Sequence, residues 1–99
     1  MGRAIPVDLG VIKFTARSRA HSYFHELLFA YKPGDRVCED YKTILIKLLE
    51  RHPDSAAKIG EGVSHFEVIE ADYGTQCFAV FRTDGSYEKF SYHTCVDKQ

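Results

Sequence analysis

The chain has 99 residues, of which 44% are hydrophobic and 27% are charged, and its formal net charge is −1. This length accommodates one domain, so we treat residues 1–99 as a single domain whose core spans about residues 9–96. The near-neutral charge excludes a protein that binds nucleic acid mainly through bulk charge, because that mode needs many lysines and arginines facing one way.

The sequence contains three cysteines, Cys38, Cys77 and Cys95, and no pair has CxxC spacing. An odd number of unpaired cysteines is typical of a reducing compartment, where thiols stay free. No charged and then apolar leader is present, and no apolar run approaches the ~20 residues that a membrane span needs. We therefore expect a cytoplasmic protein, monomeric or weakly dimeric, with no membrane partner.

A short strand and a first helix are predicted at the start of the chain. Residues 9–14 form a β-prone run, and a hydroxyl of Thr15 or Ser18 can cap the helix that follows. Pro33-Gly34 ends this helix and turns the chain. Its apolar stripe at helical spacing consists of Ala20, Tyr23, Phe24, Leu27, Leu28 and Tyr31.

A second helix is predicted to begin near Glu39 or Asp40, whose negative charge suits a helix N-terminus. It ends at His52, before Pro53. The short connection between the two helices favours an antiparallel arrangement. The stripe of the second helix consists of Tyr41, Ile44, Leu45, Leu48 and Leu49.

The strongest local signal is a hairpin over residues 77–92, where two runs rich in aromatic and β-branched residues flank Asp84-Gly85. Asp-Gly between such runs favours a tight turn, because glycine readily adopts the positive φ that the turn requires. A slip of one residue would exchange the two faces, so the facing of each side chain depends on the register. With Asp84 and Gly85 as the central residues, the opposed pairs are Arg82 with Tyr87, Val80 with Lys89, Phe78 with Ser91, Phe81 with Glu88, Ala79 with Phe90 and Cys77 with Tyr92.

A further strand over residues 63–70 precedes the hairpin, so the predicted element order is β-α-α-β-β-β. Helices followed by hairpin-linked strands predict an α+β fold. We expect two layers: an antiparallel sheet of about four strands, with both helices packed on one face. The other face would be partly open to solvent.

The open face of the sheet provides the main candidate site. In the predicted register it carries Phe78, Arg82, Tyr87 and Lys89, and small α+β modules use such interleaved aromatic and cationic side chains to stack bases and hold phosphates. Ordinary cross-strand pairing on a half-solvated face gives the same pattern. Lys58, in a loop with two glycines, is a further candidate phosphate contact, although glycines there also suit a plain turn.

Two groups of residues resemble metal ligands without matching a known metal site. His21 and His25 lie four residues apart on the first helix, but no third ligand accompanies them. Cys77, His93 and Cys95 adjoin the base of the hairpin, but they lack the spacing of a zinc knuckle. We expect surface histidines and buried thiols at these positions, and therefore no metal and no cofactor.

A catalytic group is the least supported interpretation. His52 and Asp54 are two residues apart, but no nucleophile or second carboxylate has a fixed spacing to them. A small hydrolase or nuclease would need at least two of His52, Asp54, His65 and His93 to converge in a pocket. We predict no catalytic residue.

Three segments, taken together, resemble the DCL family. They are His52-Pro53 with Lys58-Ile59-Gly60-Glu61-Gly62, CFxxxRxDGS beginning at Cys77, and FSYxxC ending at Cys95. The resemblance spans about residues 10–96 and implies a role in handling RNA or DNA, an association with ribosomal RNA maturation, and no established catalytic activity. The residues that match the family motifs are His52, Lys58, Gly60, Gly62, Phe78, Arg82, Asp84, Gly85, Phe90, Tyr92 and Cys95.

The chain departs from the family pattern at Lys89 and Thr94, where an acidic residue and a lysine are usual. It carries the domain without a transit peptide or a polymerase, so we expect a stand-alone bacterial member. The leading hypothesis is a noncatalytic module associated with nucleic acid, RNA more than DNA. A protein-interaction module that uses the same aromatic face is the alternative.

Overall fold

The helices and strands largely follow the hydrophobic pattern of the sequence, and the predicted α+β class is confirmed. A computed structural model describes residues 6–97. The helices are α1 (Arg17–Phe29), α2 (Lys42–Leu49), α3 (Ser55–Ile59) and α4 (Tyr92–Asp97), and the strands are β1 (Val7–Asp8), β2 (Lys13–Phe14), β3 (Val63–Glu70), β4 (Gln76–Arg82) and β5 (Tyr87–Phe90). No helix among these residues is both long enough and apolar enough to cross a membrane.

The main sheet has three antiparallel strands in the order β3-β4-β5, rather than about four. Residues 9–14 do not form one strand, because Gly10 adopts a φ of +83° and turns the chain there. The backbone N–H of Gly10 donates to Asp8 Oδ1 at 2.8 Å, and β1 and β2 pair only with each other. The prediction of a fourth strand in the main sheet is therefore wrong.

A non-strand segment covers the free edge of β3. The N–H of Gly34 donates to the carbonyl of Val68 at 2.7 Å, and the N–H of Val37 donates to the carbonyl of Phe66 at 2.9 Å. These bonds satisfy backbone groups that an edge strand otherwise leaves available for pairing with other chains. The turn at Pro33-Gly34 thus protects the sheet as well as ending the helical region.

The core lies between one face of the main sheet and helices α1, α2 and α4. All three helices contribute buried side chains to a single apolar cluster. The final helix α4 was missed in the sequence, where residues 93–99 read as a tail. The fully buried large side chains are Phe24, Phe66, Phe78, Leu45, Leu48, Leu49, Val7, Val68, Val80, Val96 and Cys95.

The hairpin register differs by one residue from the predicted one. Phe81 pairs with Tyr87 and Phe78 pairs with Phe90, because the loop has three residues rather than two. The N–H of Gly85 donates to the carbonyl of Arg82 at 3.0 Å, and the φ of Gly85 is +91°. A three-residue loop puts the positive φ on glycine alone, whereas the predicted two-residue turn would impose it on Asp84 as well.

This register places Phe78 in the core, with no solvent exposure, so its assignment to the open face is wrong. Tyr87 keeps its predicted exposure, at 56%. The two aromatic residues therefore have opposite roles, and their stability effects should differ.

We expect Phe78→Ala to lower the free energy of unfolding by about 3–5 kcal/mol, because it leaves a cavity in the core. Tyr87→Ala serves as the control and should cost about 1 kcal/mol or less, since only a surface ring contact is lost. Urea unfolding followed by circular dichroism measures both values. Equal losses for the two variants would contradict the observed register.

Candidate nucleic-acid interface

Two of the predicted ligand contacts, Lys58 and Arg82, are engaged inside the fold. Lys58 Nζ lies 3.0 Å from Glu88 Oε1, and Arg82 NH1 lies 3.2 Å from Glu88 Oε2. The side chains of Lys58 and Arg82 are only 13% and 14% exposed. One carboxylate thus bridges two cations, and the last turn of α3 is tied to β5.

Arg82 makes several further hydrogen bonds in the same region. Its NH1 donates to the carbonyl of Lys58 at 2.8 Å, and its Nε donates to Ser86 Oγ at 2.7 Å. Lys58 Nζ also donates to the carbonyl of Lys89 at 3.1 Å. These contacts hold the guanidinium and the ammonium in fixed positions, which gives both residues a structural role.

The glycines of the motif loop provide room for Arg82. Gly60 has a φ of +54°, and a Cβ added there would lie 2.9 Å from the Cδ of Arg82. A side chain at this position would therefore both strain the backbone and displace the arginine. Gly62, whose φ is +126°, passes the chain into β3. In the structure these glycines form a turn against which Arg82 packs. This agrees with the interpretation of the two glycines as a plain turn.

The Asp84-Gly85-Ser86 motif forms the hairpin loop itself. Asp84 Oδ1 accepts hydrogen bonds from the N–H of Ser86 at 2.9 Å and from Ser86 Oγ at 2.5 Å. The hydrogen bonds from Ser86 hold the pKa of Asp84 below its ordinary value. The carboxylate thereby stabilises the turn in the manner of an Asx turn.

The last motif segment contributes to the core. Phe90, Tyr92 and Cys95 are all buried. Burial raises the pKa of the Cys95 thiol to about 12, so the thiolate needed for metal binding or nucleophilic attack does not form near neutral pH. His52, in the first segment, accepts the backbone N–H of Asp54 at Nδ1 over 2.9 Å, which fixes the turn into α3.

The open face carries a row of three stacked rings that crosses all three strands. His65 of β3 stacks on Phe81 of β4, with ring centroids 4.7 Å apart and planes 16° apart. Phe81 stacks on Tyr87 of β5 at 4.9 Å and 12°. We name His65, Phe81 and Tyr87 the ring row. The sequence did not reveal the ring row, because the predicted register put Phe81 on the face opposite Tyr87. A register with a three-residue hairpin loop would have placed these two rings on the same face.

Lys89 lies on the same face as the ring row, two residues beyond Tyr87, and is exposed. It makes no ion pair among residues 6–97. The nearby Glu67 is held by His65, whose Nε2 lies 2.8 Å from Glu67 Oε2. Of the five predicted contacts, only Tyr87 and Lys89 are therefore available on the open face.

A pocket of about 540 Å³ opens where β4 begins and β5 ends. Its cationic and titratable lining comes from α1, the stretch of residues 52–58 that ends in α3, the end of β5 and the start of α4. No aspartate or glutamate of the described chain lines it. The imidazole and ammonium side chains that line it are those of His25, His52, His93, Lys58 and Lys89.

Two of the four residues considered for catalysis meet in one pocket, which fulfils the minimum stated for a small hydrolase or nuclease, whereas the residues considered for metal binding form no metal site in the described chain. Within residues 6–97, no group of three or more His, Cys, Asp or Glu side chains is arranged to hold a metal ion. His52 and His93 share the pocket, but Asp54 and His65 do not line it. Burial raises the pKa of the Cys77 thiol, although Lys89 opposes the shift, so this pocket residue is a weak nucleophile.

Comparison with known proteins places this arrangement in a family. A family model described as "Protein of unknown function (DUF3223)" matches residues 25–96. The chain belongs to this family. The resemblance to DCL proteins is confirmed: the chain is 39% identical over 69 residues to Protein DCL, chloroplastic, of Solanum lycopersicum, covering 67% of this chain and 31% of that protein.

Other proteins similar to this chain include a polymerase subunit and a bacterial protein. The chain is 34% identical over 98 residues to DNA-directed RNA polymerase IV subunit 1 of Arabidopsis thaliana, covering 96% of this chain and 7% of that subunit. It thus spans less than a third of either plant relative. A solution NMR structure of an uncharacterized protein from Rhodospirillum rubrum is 45% identical, with a TM-score of 0.86, and the match covers 96% of this chain and 91% of that one. This likeness fits the expected bacterial member.

The Glu88 bridge predicts a pH-dependent contribution to stability. Hydrogen bonds from Lys58 and then Arg82 lower the pKa of Glu88. A carboxylate with a lowered pKa in the folded state stabilises the fold above its unfolded pKa of about 4.3, and loses that effect as the pH falls through the folded value. Glu88→Gln should therefore be less stable than the parent near pH 7, by about 1 kcal/mol or less because the carboxylate is 44% exposed.

Urea unfolding of the parent and of Glu88→Gln over a series of pH values measures this difference. It should shrink as the pH falls below about 4. Glu70→Gln, at an exposed carboxylate at the end of β3, is the control for loss of charge alone. A difference that stays constant down to acid pH would contradict the bridge.

Proposed function

We propose that this protein is a noncatalytic nucleic-acid-associated module that binds single-stranded RNA through its open sheet face. Unpaired bases would stack on the ring row, and Lys89 would contact the phosphate backbone. RNA is favoured over duplex DNA, because splayed bases are the form that aromatic side chains on a sheet can stack.

The observation that carries the proposal is the geometry of the ring row. Three rings lie nearly parallel on the solvent side of the sheet, and Tyr87 at the end of the row is more than half exposed. An exposed ring in line with two others offers a flat surface on which a base can continue the stack. Stacking is tolerant of sequence, so binding should depend little on which base is present.

The charges of this face predict weak binding with a modest dependence on salt. Within residues 6–97, Lys89 makes no ion pair, whereas Lys58 and Arg82 are neutralised in part by Glu88. Few phosphate contacts give a shallow dependence of affinity on salt. This prediction agrees with the formal net charge of −1 for the whole chain.

The relatives support a setting in nucleic-acid metabolism. One is named as a subunit of a DNA-directed RNA polymerase, and the DCL resemblance implies an association with ribosomal RNA maturation, which makes ribosomal RNA the first class to test. The free thiols of Cys38, Cys77 and Cys95 support a reducing compartment such as the cytoplasm.

Fluorescence anisotropy with a single-stranded RNA, a structured RNA and a duplex DNA tests the proposal at low and at physiological salt. We expect saturable binding of the single-stranded RNA that weakens with salt. Tyr87→Ala should weaken it about tenfold, since one stacked base is worth about 1–3 kcal/mol. Lys89→Ala should weaken it less and reduce the salt dependence.

Two variants serve as matched controls. Tyr87→Phe keeps the ring and should bind like the parent, and Lys13→Ala removes an exposed lysine from β2, outside the main sheet. Circular dichroism checks that every variant is folded. Failure of all three nucleic acids to bind would overturn the proposal and leave the ring row as a surface for a protein partner.

A further inference from the structure

The pocket beside the open face has a chemical character of its own. Ammonium and imidazole groups from four separate parts of the chain converge on it, and no described aspartate or glutamate lines it. Its volume of about 540 Å³ lies within the range of small-ligand pockets. A concave site that offers ammonium and imidazole donors and no carboxylate favours an anionic ligand.

Lys58 places a positive charge at a fixed position on one side of this pocket. Its Nζ makes two hydrogen bonds, to Glu88 Oε1 and to the carbonyl of Lys89, and an ammonium has three donors. One N–H therefore stays available. Glu88 carries one negative charge against two positive ones from Lys58 and Arg82, so the cluster keeps a net positive charge behind the pocket.

His25 and His93 supply donors from the helical side. The His93 ring lies 4.2 Å from the Tyr92 ring and 4.8 Å from the His21 ring, measured between centroids. His25 lies 4.7 Å from the Phe29 ring, and its Nδ1 is 3.5 Å from the hydroxyl of Tyr92. Ring contacts of this kind limit the motion of both imidazoles. Within residues 6–97 neither forms an ion pair with a carboxylate, although Asp97 interacts electrostatically with His93.

We propose that this pocket binds a phosphomonoester, with Lys58, Lys89 and the imidazoles of His25 and His93 as donors to its oxygens. A terminal phosphate offers three acceptor oxygens and up to two negative charges, which fits several donors converging from different directions better than a backbone diester does. Lys89 borders both the pocket and the open face, so the phosphorylated end of an RNA can occupy the pocket while its bases lie on the ring row. The inference extends the proposed function, but the pocket can also take a free phosphomonoester without it.

The test compares a short single-stranded RNA with a 5′-phosphate, the same RNA with a 5′-hydroxyl, and adenosine 5′-monophosphate. Affinities are measured by calorimetry, and the site is mapped from amide and imidazole shifts in NMR spectra. We expect the 5′-phosphate to tighten RNA binding by about tenfold or more, because charge-assisted hydrogen bonds form only with that end. His93→Gln and His25→Gln should remove this gain and leave binding of the hydroxyl-ended RNA unchanged.

The outcomes separate the two sources of phosphate and the two proposals. Tighter binding of the phosphorylated RNA than of the mononucleotide identifies an RNA end as the ligand, and equal binding identifies a free phosphomonoester. Mononucleotide binding at the pocket without any binding of hydroxyl-ended RNA supports the pocket and overturns the ring-row proposal. Tyr87→Ala should weaken binding of the hydroxyl-ended RNA. The gain in affinity that the 5′-phosphate gives should remain in this variant.

The pocket proposal is overturned if neither the 5′-phosphate nor the mononucleotide changes affinity or shifts the resonances of His25 and His93. A phosphate-dependent gain that survives in both histidine variants would also overturn it. Spectra of each variant without ligand establish that the fold is intact, so a folding defect cannot be mistaken for either result.

Discussion

The Glu88 carboxylate is the contact on which the arrangement of the domain's functional surfaces depends. It joins Lys58, in the last turn of α3, to Arg82, at the end of β4, and so fixes the end of α3 and the loop that follows it against the hairpin. Arg82 in turn packs where Gly60 has no side chain. One charged cluster thus positions the loop, the hairpin and the wall of the pocket. The cluster is partly exposed and contributes only modestly to the free energy of unfolding, but it connects segments that are far apart in the chain.

This arrangement gives most residues of the family pattern a structural role. Arg82, Asp84 and Gly85 build the hairpin, while Phe78, Phe90, Tyr92 and Cys95 fill the core. The surfaces proposed for binding are made largely by other residues, including His65, Phe81, Tyr87 and Lys89. A DUF3223 relative can therefore keep the motifs and the fold while its exposed face, and with it the ligand, changes.

Hydrophobic periodicity was enough to predict α1, α2, the three main strands and the α+β class. It could not predict the hairpin register, because Asp84-Gly85 is compatible with both two-residue and three-residue loops, and the choice depends on whether Asp84 must adopt a positive φ. This difference of one residue in the register places Phe78 in the core and Phe81 on the open face, the reverse of the prediction. The bridge at Glu88 was also invisible, since Glu88 lies 30 positions from Lys58 in the chain, and cations predicted as ligand contacts proved to be engaged with the protein.

An NMR titration of the isotope-labelled protein with a short single-stranded RNA tests most directly the claim that the motif cations hold the fold while the open face binds. The account predicts that the Nε–H resonance of Arg82 is visible in the free protein, because Ser86 Oγ accepts its hydrogen bond at 2.7 Å, and that it does not shift as RNA is added. The resonances of Phe81, Tyr87 and Lys89 should shift together and saturate. A large shift of the Arg82 side chain, with none on the ring row, would contradict this claim and return Arg82 to the role of a ligand contact.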